Sequence, residues 1–506
     1  MAWILPVLVL YITAMLVIGW LFFKKTASPA DFFIGGRRLG CWVAALSTYA
    51  SDMSGWLVMG LVGAFYAYGT GRIWMAVGFA LGSVLNWLLV ARRLRRYSLT
   101  AKDSITIPEY LESRFRDSSH TLRIISAFFI LFFFTLYTAS GFVACGTFFS
   151  FIFGMDYHLA LLAGVLVIVI YTSLGGFQAV CWTDLVQGIL LLITVIGVPI
   201  IAVALLGGVT KVVSELPSPF LPAIPQDKPG SLAVSIISGL TYGLGYFGLP
   251  HILIRFMAAK NERAINRAAL IAGAATVLTM GAVVIIGIIG AAMFPVAPDP
   301  EKVFILMIQK MFTGAGALLP IPLLGGIFFC GICSAVMSTA DSQLIMTASV
   351  LLNDIHGTLV QNKGELKHVL RLSRLSVVAV SFLAYVIASD QSSALSFLAS
   401  NAWSGFGSCF GALILLSLYW RRLTRSGAVA GILAGGLTVI IWDYIPLVRA
   451  AGGWMNPGEA TGIYSLGPGF CMSLFCIYVT SMATRPPSGE IQREFELAAA
   501  PPLFEE

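Results

Sequence analysis

Charge is scarce in this sequence. Asp, Glu, Lys and Arg make up 11% of its 506 residues, against about 25% in soluble proteins. A soluble globular domain is excluded on that ground. Histidine is scarcer still, with five in the whole chain. None pairs with a cysteine or carboxylate as a nucleophile–base or metal constellation would require, so the chain is not read as an enzyme and no cofactor is expected. The eight cysteines are scattered. Cys330 and Cys333 form C-x-x-C, but inside an apolar stretch, where they read as small packing residues. The basic residues form no single stripe, which argues against nucleic-acid binding. No basic region precedes Ile4 to Phe23 and no small-residue cleavage site follows it. That stretch reads as a spanning helix, not a cleaved signal.

What the chain has in abundance is apolar sequence, 58% of it. Runs of about 20 apolar residues can cross a bilayer. They fall at 3–23, 41–66, 73–91, 124–153, 159–176, 184–207, 232–254, 268–293, 318–350, 373–389, 396–419, 427–446 and 463–482. The reading is an all-α polytopic membrane protein with about thirteen spans. With thirteen, all but six of the 31 Lys and Arg residues lie on one side; the six are Arg72, Lys211, Lys228, Lys302, Lys310 and Arg449. The basic side is the cytoplasmic one. The N-terminus is then outside and the C-terminus inside. The transporter domain is read as 1–485. Ile107 to Leu111 reads as a short amphipathic helix. The Pro-, Ala- and Glu-rich stretch 486–506 reads as a mobile cytoplasmic tail.

Against this background Asp52 stands out. It sits in Ser51-Asp52-Met53-Ser54-Gly55, between uncharged stretches from Cys41 to Ala50 and from Trp56 to Tyr66. A carboxylate at that depth costs about 2.5–3.5 kcal/mol on insertion scales. Its neighbours offer oxygens and a breakable backbone, so the helix reads as interrupted to hold a cation. The span at 232–254 carries Gly239, Gly243, Gly245, Gly248 and Pro250, too many breakers for a continuous helix. It lies five spans after the first interrupted one. Two interrupted spans at matching positions point to inverted repeats, with a binding site at mid-membrane. The repeats are expected at about 41–207 and 232–419.

A third cluster lies in Ser334 to Gln343. Ser338, Asp341 and Ser342 share a helix face, with Thr339 beside it. Hydroxyls and carboxylates are hard donors that suit a monovalent cation. Asp184 follows Thr183 at what reads as a helix entrance. It is either an N-cap or a cation relay with Asp341. Arg255 reads as an interfacial anchor and His251 as a satisfied structural histidine. Tyr137, Tyr242 and Tyr246 fall at mid-span and read as lining a solute pocket, not the interfacial belt. The hydroxyl pair favours sodium. A proton-coupled importer, resting on Asp341 and Asp184, is the alternative. A transporter-like sensor would need a signalling domain, for which the segment after Arg485 is too short.

These motifs resemble the sodium/solute symporter family over nearly the whole chain. The runs that carry the resemblance are Ala50-Ser51-Asp52-Met53-Ser54-Gly55-Trp56, Gly175 through Asp184, Gly243-Leu244-Gly245-Tyr246-Phe247-Gly248 with Pro250-His251, Ala335-Val336-Met337-Ser338-Thr339, and Trp403-Ser404-Gly405-Phe406-Gly407. The resemblance implies an inverted 5+5 helix-repeat core (LeuT-like) and sodium-driven uptake of a small solute, with L-proline the first expectation. Another small amino or organic acid, such as pantothenate, is the alternative. It implies sodium ligation by the carbonyls of Ala50, Met53 and Ala335 and the hydroxyls of Ser338 and Thr339. Asp52 is implied to be essential nearby, Ser54 and Gly55 to lie between ion and solute, and Tyr137, Tyr242 and Tyr246 to line the pocket. Two positions depart from the family's proline pattern: Tyr242 stands where Trp is usual, and Leu249 where Gln is usual.

Overall fold

The computed structural model describes residues 4–23, 29–216, 231–297, 299–313, 316–357, 366–390, 395–450 and 453–500. Among them, ten helices are long and apolar enough to cross a membrane, or eleven with the bent pair that spans 232–258. Two of the ten hold two crossings each. Tyr157–Leu205 is broken at Gly176, whose φ of +64° favours glycine. The stretch Trp56–Thr100 turns back through Gly69–Arg72, and its first part continues the helix Cys41–Asp52. Counted by crossing, the spans number thirteen, and the protein is a multi-pass membrane protein.

Span 1 is Ile4–Phe23, and span 2 is Cys41–Asp52 followed by Trp56–Tyr68. Span 3 runs over 73–100 and span 4 is Thr121–Phe153. Spans 5 and 6 are the two halves of Tyr157–Leu205. Span 7 is Ser231–Thr241, a tighter turn Tyr242–Gly248, and Pro250–Ala258. Spans 8 and 9 are Glu262–Met293 and Pro322–His356; spans 10 to 13 are Leu366–Ala388, Leu395–Tyr419, Arg425–Tyr444 and Leu466–Ala483. Span 9 sits centrally, packed on spans 1, 4, 5, 6 and 10.

Both interruptions follow from sequence. In span 2 the helix ends at Asp52, and the N–H of Ser54 bonds Asp52 O at 2.8 Å instead of reaching back four residues. The carbonyls of Ala50 and Ser51 thereby lose their helical partners. In span 7 Leu249 is extended (φ −80°, ψ 106°) and Pro250 opens the next helix, which bends away by 48°.

The cytoplasmic-side expectations divide. Ile107–Phe115 is a helix; the Thr106 hydroxyl caps its start by accepting from Glu109 N–H, and the Glu109 carboxylate accepts from Ile105 N–H. The stretch after Arg485 is described up to Ala500. Gly489–Ala499 is a helix, pinned by Arg116 to Glu490 and Glu494 and by Arg421 to Glu496. The Pro-rich outer loop is described only to residue 216; 217–230 and 501–506 lie outside the described residues.

Candidate ion and solute site

The two carbonyls freed at the break of span 2 point to span 9. The Ser338 hydroxyl donates to Ala50 O at 2.8 Å and to Ser334 O at 2.7 Å, with Ala335 O at 3.5 Å. The Thr339 hydroxyl reaches Ser51 O at 3.0 Å and Ala335 O at 3.2 Å. Met53 caps the broken helix, its N–H still on Tyr49 O at 3.0 Å. Carbonyl and hydroxyl oxygens from spans 2 and 9 thus converge in a buried place, a donor set that suits a hard cation.

Beside it lies a charged cluster. Asp184 is buried and sits within its helix, two turns beyond the Gly176 break, so it is no N-cap. Its Oδ2 accepts from Ser47 at 2.7 Å, Ser51 at 3.1 Å and Arg255 Nη2 at 2.9 Å. Arg255 is 1% exposed, which corrects its reading as an interfacial anchor. It also donates to Ser47 Oγ and Ser342 Oγ, both at 2.7 Å. Ser342 approaches Asp341 Oδ1 at 3.2 Å and Ser51 Oγ at 2.9 Å. Tyr171 holds Asp341 Oδ2 at 2.7 Å. The structure therefore joins Asp184 and Asp341 through Ser51 and Ser342, with a guanidinium between them. Sequence reading missed Ser47 and Tyr171. His251 is buried, its ring packed edge-on against Phe134.

The aromatic residues form a box on the other side of the break. Tyr246 donates to Asp52 Oδ2 at 2.6 Å, tying the two interrupted spans together. Phe79 and Trp403 pack edge-on against Tyr246, at 6.2 and 5.1 Å between ring centroids. Trp403 Nε1 donates to Tyr242 O at 2.9 Å. Tyr137 and Ser54 are buried, their hydroxyls turned toward each other. A methyl group on Gly55 would come within 2.7 Å of the Ala144 Cβ and 2.9 Å of Val336 Cγ2, so glycine lets spans 2, 4 and 9 close up there. Tyr242 stacks between Trp56 (6.0 Å) and Tyr464 (4.0 Å, 9° between planes). Above that stack a cavity of about 670 Å³ opens on the side with few basic residues, past Arg72, Asn401 and Asp443. The stack closes the box from that side. Trp56, Phe79 and Tyr464 were not singled out from sequence, although Trp56 and Trp403 lie inside quoted motifs.

Interrupted spans facing a central helix, with an oxygen cluster and a closed aromatic box beside the breaks, define a secondary transporter. The comparisons agree. The model of the sodium:solute symporter family matches residues 32–435, and the chain belongs to that family. It is 40% identical over 490 residues to the osmoregulated proline transporter OpuE of Bacillus subtilis, covering 96% of each chain. To the high-affinity proline transporter PutP of the same species it is 41% identical, covering 95% of this chain and 98% of that one. To the sodium/proline symporter of Escherichia coli it is 38% identical, covering 97% and 95%. Among solved structures, a Na+-coupled sialic acid symporter aligns with TM-score 0.75 at 19% identity, over 96% of this chain and 98% of that one. Mhp1, a nucleobase-cation-symport-1 family transporter, aligns at 0.53 and 13% identity, over 93% and 99%. These two show the shared fold.

Proposed function

We propose that this chain imports L-proline with sodium across the bacterial plasma (inner) membrane, with its N-terminus outside and its C-terminus in the cytoplasm. The core repeats are 41–207 and 232–419. Sodium is held by the carbonyls of Ala50, Met53 and Ala335 and the hydroxyls of Ser338 and Thr339. The observation that carries this reading is the contact of those two hydroxyls with the carbonyls freed at the break of span 2. An ion placed among these oxygens binds spans 2 and 9 together, and ligand binding shifts a conformational equilibrium only through such differential contacts.

The solute sits against Ser54, Gly55, Tyr137, Tyr242 and Tyr246, its carboxylate meeting backbone amides of the interrupted helices. Asp52 couples the two sites: it lies one residue beyond Ser51, whose carbonyl meets Thr339, and carries Tyr246 on its carboxylate. Asp184, Asp341 and Ser342 form a second station through which the cation leaves. Three relatives named as proline transporters support the solute.

The test is uptake of labelled proline into proteoliposomes. Accumulation should follow an inward sodium gradient, vanish when the gradient is collapsed, and survive an equal proton gradient change. Accumulation driven by protons alone would overturn the sodium reading. Competition by pantothenate or another small acid, with no uptake of proline, would overturn the solute.

A further inference from the structure

Asn86 is 1% exposed, and neither its amide oxygen nor its amide nitrogen has a hydrogen-bond partner among the described residues. Asp52 is 2% exposed; its Oδ2 takes the Tyr246 proton, and its Oδ1 has no partner. Each orphaned buried polar group costs about 1–3 kcal/mol, and native structures keep few of them without a reason. The two residues line one narrow cavity, with Thr48, Ser83, Tyr246 and Thr276. It lies between spans 2, 3, 7 and 8, on the far side of span 2 from span 9. Asn86 also opens a wider helical turn, Asn86–Ala91, a distortion that recurs at functional sites.

The lining is suited to one kind of ligand. It offers a carboxylate oxygen, an amide oxygen and the three aliphatic hydroxyls of Thr48, Ser83 and Thr276, all hard donors. The Thr48 hydroxyl spends its proton on Ala44 O at 2.7 Å, and Ser83 leans on Thr276 at 3.4 Å, so both oxygens keep lone pairs for a ligand. No Lys, Arg or His side chain lines the cavity to balance Asp52. The space is too tight to admit a water molecule. A bare sodium ion is smaller than water.

We propose that this cavity binds a dehydrated monovalent cation, sodium in the first place, through Asp52 Oδ1, Asn86 Oδ1, Ser83, Thr48 and Thr276. The site is separate from the cage between spans 2 and 9, and the inference rests on the sodium-coupled reading above. Through Asp52 it bears on Tyr246, so an ion there holds spans 2, 3 and 7 in the arrangement that closes the solute box.

The test counts sodium. Purified full-length protein is titrated with radiolabelled sodium, alongside Asn86→Leu, Ser83→Ala and the cage variant Thr339→Ala. Asn86→Leu should bind one sodium fewer per molecule than the parent. Ser83→Ala should keep the count and raise the half-saturating sodium concentration roughly 5- to 150-fold, as for the loss of one ligand interaction. Should Asn86→Leu fail to fold, Ser83→Ala and Asn86→Ser carry the test through the sodium-dependent rise in melting temperature. An unchanged count and unchanged sodium dependence in folded variants would overturn the site. So would a higher melting temperature in Asn86→Leu at constant sodium count, which marks a packing defect. If Thr339→Ala alone shifts sodium binding, this inference falls and the transport reading stands. If the parent protein binds no sodium, both fall.

Discussion

The Ser338→Ala, Thr339→Ala double variant should need far more sodium for half-maximal uptake than the parent protein. Each hydroxyl bridges a freed carbonyl of span 2 to span 9, at 2.8 and 3.0 Å. Losing one ligand interaction of about 1–3 kcal/mol corresponds to roughly 5- to 150-fold in affinity. Two losses in one cage couple and need not add, so the double variant should match or exceed the larger single effect. Thr339→Ser keeps the hydroxyl and should retain most of the sodium affinity. Proline binding at saturating sodium should change little, because neither hydroxyl reaches the aromatic box. Sodium dependence of uptake, measured at equal amounts of reconstituted protein, decides the matter. An unchanged sodium requirement in the double variant would remove the cage from the mechanism.

The meeting of spans 2 and 9 was legible because scarcity made it so. Where charge is 11% of a chain, a carboxylate flanked by Ser, Met and Gly marks a break, and a Ser-Thr pair on a buried helix marks its counterpart. The depth of each break was less legible. Asp184 reads as a helix entrance because it follows Thr183 at the start of the apolar run 184–207, yet the helix begins at the Gly176 break and carries Asp184 two turns inward. Arg255 closes an apolar run, which reads as the membrane surface. The 48° bend at Leu249 instead turns Pro250–Ala258 into the protein. Neither rotation is encoded in local composition; both depend on which helix lies alongside. The Tyr171 contact to Asp341 joins residues 170 apart, and no periodicity announces such a pair. The tail shows the same limit. Its Glu residues pair with Arg116 and Arg421, from distant parts of the chain, and composition alone does not show those partners.

Arg255→Met should be the most damaging single change outside the cage, and Asp184→Asn should restore much of what it loses. The Arg255 and Asp184 side chains are 1% and 0% exposed, joined at 2.9 Å. Removing one partner of such a pair leaves an uncompensated buried charge, at a cost of about 3–5 kcal/mol. Here the residual charge would be severe, because Asp341 stands behind Ser342 and repels Asp184 once the guanidinium is gone. Neutralising Asp184 in the same chain removes the cause, so the two changes should couple strongly instead of adding. Melting temperatures of parent, single and double variants in detergent give the cycle. The second station adds a separate expectation. Sodium should raise the melting temperature of Arg255→Met more than that of the parent protein, since an ion can take the place between Asp184 and Ser342 that the guanidinium holds. Asp341→Asn should lower turnover while leaving the external sodium requirement nearly intact, because Asp341 lies beyond Ser338 from the break in span 2. Additive losses in the cycle would mean that Arg255 acts through Ser47 and His251 O alone. Full turnover in Asp341→Asn would leave the exit station with no function.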